Sequence, residues 1–148
     1  MLHVTLIACG KLKEKYLKDA VSEYEKRLAA YIRLTVRELA DGPDRKAEAV
    51  RIEQNIPEYA YFVTLEIEGK ALSSEDFAES IKRLMTDGVS HICFCIGGSD
   101  GLDDRIRSRA DMHLSFSRMT FPHQLMRVIF LEQLYRVFKI IKNEPYHK

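Results

Sequence analysis

Leu2–Ala8 is a short apolar run that stops at Cys9-Gly10, and it reads as a strand. From Lys13 to Ile32 the apolar residues Tyr16, Leu17, Ala20, Tyr24, Leu28 and Tyr31 fall at helical spacing. Leu34–Leu39 alternates and predicts a second strand, followed by the turn cluster Asp41-Gly42-Pro43-Asp44. Asp44 is placed to cap a helix from Arg45 to about Ile56, which Pro57 ends. Tyr59–Glu66 predicts a third strand, and Ser73 with Asp76 opens a helix that closes near Asp87-Gly88. Ser90–Ile96 predicts a buried strand running straight into Gly97-Gly98-Ser99-Asp100-Gly101. A short helix over Asp103–Arg109, which Asp103 can cap, a strand over Met112–Phe116 and a long helix from Pro122 to about Asn143 complete the pattern.

Strands alternating with helices predict an α/β fold: a mainly parallel sheet with helices on both faces, in a single domain over residues 1–148. Ligands of such sheets bind beyond the carboxyl ends of the strands. Three loops leave those ends: Ile67–Lys70, Gly97–Gly101 and Ser117–Phe121. The last helix carries apolar residues almost all round, from Leu125 and Met126 to Ile140 and Ile141. A helix of that kind is buried on two sides, and the second side is expected to meet another subunit, giving a homodimer.

Composition narrows the classes. A hydrophobic share of 46% and a charged share of 30% are those of an ordinary globular chain, and a net charge of +1 gives no global field to attract nucleic acid. The charge is uneven, however: residues 116–148 hold six Lys or Arg against two acids, a local docking surface or simply a solvated face. The three cysteines, Cys9, Cys93 and Cys95, form no CxxC pair and are expected to be reduced and buried. The opening Met1–Lys11 does not fit a signal peptide, and no apolar run approaches a membrane span. A cytoplasmic protein without membrane or DNA partners is the expectation.

The glycine loop after the fourth strand suggests close approach of backbone to a ligand, or only a tight strand-to-helix turn. It is neither GxGxxG nor a phosphate loop with its lysine. Among the five histidines, His3, His91 and His113 lie in or beside strands, and no metal-binding set is formed. His123 opens the long helix, whose positive end favours a neutral ring able to accept a proton.

Four segments carry a resemblance that spans the chain. They are Val63-Thr64-Leu65-Glu66-Ile67-Glu68-Gly69-Lys70, Ile96–Gly101, Leu114-Ser115-Phe116-Ser117-Arg118-Met119-Thr120-Phe121-Pro122-His123, and the end Pro145-Tyr146-His147-Lys148. Together with the opening Gly10–Tyr16 and Glu23–Leu28, they resemble the ribosomal large-subunit pseudouridine methyltransferase H family of the SPOUT superfamily. Cys9 departs from the small aliphatic residue expected there, and the stretch Asp41–Glu58 is shorter than in some relatives. The resemblance implies a C-terminal deep trefoil knot, a rare exception to unthreaded connections. It implies S-adenosylmethionine bound in that knot by Leu65, Gly97, Gly98, Phe116, Ser117, Arg118, Met119, Thr120 and Phe121. It further implies a homodimer built on the last helix, and methylation of N3 of a pseudouridine in 23S rRNA on the assembled ribosome. For that chemistry His123 and the tail residues Tyr146 and His147 are the catalytic candidates, with Arg118, Arg127 or Lys148 as positioning cations. No metal is required. Two alternatives stand beside this reading: a nucleotide-binding α/β protein using the glycine loop, and a non-catalytic ribosome-binding factor of the same fold.

Overall fold

A computed structural model describes residues 1–148. Five strands and five helices alternate: β1 (His3–Cys9), α1 (Lys15–Leu28), β2 (Arg33–Leu39), α2 (Arg45–Asn55), β3 (Tyr61–Ala71), α3 (Ser74–Thr86), β4 (His91–Ile96), α4 (Asp104–Arg107), β5 (Met112–Ser115) and α5 (His123–Ile141). The strands form one sheet in the order β2-β1-β4-β3-β5, with every pairing parallel. Parallel neighbours need crossovers, which the helices provide on both faces.

The pleat sorts the strand residues into two cores. Val4, Leu6, Ile92, Phe94 and Ile96 point to one face and pack with α1, α3 and α5. Ile7, Cys9, Cys93 and Cys95 point to the other and pack with Ala49 and Ile52 of α2 and Ile106 of α4. All three cysteines are buried and free. Burial first, and Glu48 next, push the Cys9 thiol up to about 12, and burial pushes Cys93 equally far.

Local signals are met at three helix starts. Asp44 accepts from Ala47 N at 2.8 Å, Ser73 from Asp76 N at 3.0 Å and Asp103 from Arg105 N at 2.9 Å. Pro122 sits one place earlier than expected: it is the extended N-cap of α5, and His123 is the first helical residue.

Two expectations change. Residues 67–70 are not a free loop. After Leu65, which is in register with Leu114, the strand bulges and returns along β5 with Lys70 against Leu114 and Ala71 against Ser115. The crossing is so close that a Cβ on Gly69 would stand 2.8 Å from the Leu114 carbonyl carbon, so only glycine fits. The strand also starts later than expected, because Tyr59 turns the chain with a φ of 65°.

The long helix meets much of its apolar demand within the chain. α5 packs with both α1 and α3 over the sheet, burying Phe130, Leu131, Leu134, Val137 and Phe138 completely. Leu125 remains 38% exposed, and Met126, Val128, Ile129, Ile140 and Ile141 are half-buried.

Candidate functional site

At the carboxyl ends of the strands the three loops enclose a cleft of about 760 Å³. One wall is the β3 bulge with Leu65, Glu66, Ile67 and Glu68; a second is Ile96 and the loop Gly97–Leu102; a third is Phe116, Ser117 and Met119–His123, with Met126 behind.

Each wall is fixed by its own chain chemistry. The glycine loop closes on itself: Gly101 N donates to Gly98 O at 3.0 Å. A Cβ at Gly97 would stand 2.9 Å from Leu102 Cδ2 and 3.0 Å from the Gly101 carbonyl, so the turn itself requires glycine there. α2 holds the loop from outside, with Glu48 Oε1 accepting from Gly98 N at 3.4 Å and Arg45 Nη1 donating to Asp100 O at 3.3 Å. The β5 loop is tied to the bulge by the buried Ser115, whose Oγ lies 2.9 Å from Ile67 O and 3.0 Å from Ser117 O. Ser117 Oγ then accepts from Met119 N at 2.9 Å. Glu66 is held by Thr64 Oγ1, which donates to it at 2.6 Å, by Arg107 at 3.7 Å and by His113.

The third wall hangs on Arg127. This side chain is 1% exposed, yet it reaches from α5 to the ends of two strands. Nη1 donates to Glu38 Oε2 at 2.6 Å and Nη2 to Gly10 O at 2.8 Å, while Nε has no partner. Gln124 Oε1 accepts from Lys13 N at 3.2 Å beside it. These bonds anchor the first turns of α5, and hence His123, against the β1–α1 connection.

Of the residues named from the sequence, Leu65, Gly97, Gly98, Phe116, Ser117, Met119, Thr120, Phe121 and His123 come together around the cleft. Arg118 is exposed and is not among the lining residues. Arg127 is committed internally and does not face the cleft as a positioning cation.

Tyr146 and His147 dock elsewhere on the same chain. Tyr146 donates to Glu132 Oε2 at 2.8 Å, packs edge-on to Tyr135 at 4.9 Å and lies under the Arg136 guanidinium at 4.8 Å. Burial, then the Glu132 bond, push its phenol up to about 12, so it stays a donor. His147 pairs with Glu75 at the start of α3 and lies 3.1 Å from Arg136 Nη1.

Half of the six basic residues of this end are paired within the chain: Arg127 with Glu38, Arg136 with Glu132 and Lys139 with Glu144. Sequence reasoning missed Glu48, Glu66 and Ser115. The sequence offers Arg127 as a candidate positioning cation, and the structure makes it a tie between α5 and the strand ends instead.

The comparisons of sequence with known proteins point to one family. The model described as "Predicted SPOUT methyltransferase" matches residues 2–147. The chain belongs to the SPOUT methyltransferase family. It is therefore a methyltransferase, with S-adenosylmethionine as its cofactor. It is 48% identical to the ribosomal RNA large subunit methyltransferase H of Bacillus pumilus, over 99% of this chain and 100% of that protein. The protein of the same name from Bifidobacterium adolescentis is 52% identical at the same coverage. A methylase family protein of Haemophilus influenzae Rd KW20 shares the fold, with a TM-score of 0.54, 10% identity, and coverage of 99% of this chain and 70% of that one.

The cleft fits such a cofactor. Its volume lies in the range of small-molecule sites, and its lining combines Leu65, Ile96, Phe116 and Phe121 with main-chain groups of two loops, the mixture an adenosine needs.

Proposed function

We propose that this chain methylates N3 of a pseudouridine in 23S rRNA on the assembled ribosome, as a cytoplasmic homodimer with S-adenosylmethionine in the loop cleft. The observation that carries the proposal is the convergence of three separate segments, Leu65–Glu68, Gly97–Leu102 and Phe116–His123, on one cleft beyond the strand ends. Relatives matched along their whole length are named for rRNA methylation.

Leu65, Phe116 and Phe121 would offer apolar contact to the cofactor's adenine, and loop amides and carbonyls of residues 97–98 and 117–121 would hold its polar edge. When bound, the sulfonium supplies an electrophilic methyl group. The rest falls to the protein: to orient an imide nitrogen toward the cleft and remove its proton. His123, on the wall of the cleft, is the residue to which we assign that proton, ahead of the lining carboxylates Glu66, Glu68 and Asp100.

The tail acts across the dimer. Within one chain Tyr146 and His147 are held by Glu132, Arg136 and Glu75, outside the cleft. The partly uncovered apolar residues of α5, with Leu125 and the 75% exposed Met119 near the cleft, supply the surface on which a second subunit brings its tail.

Subunit mixing tests this arrangement. His123→Ala and His147→Ala homodimers are both impaired, and mixing them restores turnover, because one cleft then receives both groups. No restoration refutes the exchange. The function itself is tested by nucleoside mass analysis of ribosomes from cells with and without the protein. An unchanged profile refutes it.

A further inference from the structure

At the opposite end of the sheet from the cleft lies a second set of polar groups. β1, β2 and β4 begin there side by side, with His3 in register with Arg33 on one side and His91 on the other. By the pleat these residues, with Thr5, Thr35 and Arg37, face the side covered by α2 and α4. Those helices have 11 and 4 residues and cover only part of the face. Arg33 is left exposed, and His3, Thr35, Arg37 and His91 are half-buried.

The groups are organised. Arg33 Nη2 lies 3.3 Å from His3 Nδ1, and His3 Nε2 lies 2.9 Å from Thr35 Oγ1. His91 Nε2 lies 2.8 Å from the buried Thr5 Oγ1, and the two imidazoles stack at 4.0 Å. Arg37 donates to the Asn55 carbonyl at 2.6 Å. Neither Arg33 nor Arg37 has a carboxylate partner, as is also true of Arg45, Arg51, Arg109 and Arg118, but only Arg33 and Arg37 stand in register on one strand, four residues apart and on the same face. Burial first, and the two arginines after it, hold His3 below its ordinary value; His91 is lowered by burial, then by His3 and the same arginines. No carboxylate lies within 4.0 Å of either guanidinium.

We propose that Arg33, Arg37 and Thr35 form a docking patch for backbone phosphates of the RNA substrate. The inference rests on the rRNA reading above. Guanidinium forks match phosphate oxygens in pairs, and strand positions hold them in fixed register. β1 separates the patch from the cleft by about 20 Å at about 3.3 Å per residue, so the two contacts grip a folded RNA rather than one nucleotide. A chain with a net charge of +1 gains phosphate affinity from such local, unpaired cations.

The test is the salt dependence of binding to purified ribosomes for Arg33→Gln, Arg37→Gln and the double variant. At roughly 0.7–0.9 per phosphate contact, the double variant flattens the slope of log K against log salt by about 1.4–1.8. Donor affinity by calorimetry and kcat stay unchanged, and KM for ribosomes rises. Arg33→Gln, at an exposed position, carries half the change and remains informative if Arg37→Gln does not fold. An unchanged slope in folded Arg33→Gln overturns the proposal. Titration with inorganic phosphate forms the second arm: shifts of the His3 and His91 ring signals with no change in ribosome slope also overturn it, since the site then takes free anion only. If the wild type binds no methyl donor while the slope still flattens, the methyl-transfer reading fails and the patch stands.

Discussion

Replacing Arg127 by methionine keeps the length of the buried stem and removes the charge that joins α5 to β1 and β2. Breaking a buried pair costs about 3–5 kcal/mol when the abandoned charge stays dry. Glu38 does not stay dry: its side chain is 36% exposed and rehydrates. The loss of the charge-assisted bond to Gly10 O, about 1.5–3 kcal/mol, is the larger remaining part. Against it stands Arg127 Nε, buried without a partner in the native protein, whose removal recovers some energy. The net expectation is a loss of about 2–3 kcal/mol, which lowers Tm by roughly 4–12 °C in a chain of this size. His123 lies one helical turn before Arg127, so donor affinity also falls. The assay is thermal unfolding of Arg127→Met, Glu38→Gln and the double variant, paired with donor calorimetry. The double variant loses less than the sum of the singles, because the two groups share one interaction. Additive losses, or an Arg127→Met protein as stable as the wild type, refute the reasoning.

Gly97→Ala places a methyl 3.0 Å from the Gly101 carbonyl, and backbone there cannot yield as a side chain would. The loop shifts, with a stability loss of about 1–3 kcal/mol and a weaker donor affinity in calorimetry. His3 and His91 are held below the ordinary value of 6.5, so their stability contribution is complete above 6.5 and is lost as pH falls from there through the lowered values. Urea unfolding across that window shows the loss, and it shrinks in His3→Gln/His91→Gln. With Cys9 and Cys93 raised to about 12 and all three thiols buried, the folded protein resists a thiol reagent in mildly alkaline buffer. Full reaction appears only with denaturant, and rapid labelling of the native protein contradicts the burial.

The strands, the helices, their alternation and three of the helix caps follow from the amino-acid order alone. Each depends on neighbours within a few positions: a pleat sorts Cys93 and Cys95 to one face, and Asp44, Ser73 and Asp103 bond amides two or three residues on. The segments around Leu65, Gly97 and Phe116–Phe121 were legible too, because they carry the family's motifs in order. Tertiary structure alone decided the strand order β2-β1-β4-β3-β5, the return of β3 along β5 and the docking of the tail on Glu132 and Glu75. It also decided that Arg127, 117 positions from its Gly10 partner, is a structural tie rather than a free cation. Such pairings depend on which distant surfaces meet. Local periodicity holds no information about that, since the free energy of a contact is settled only when both partners are brought out of water together.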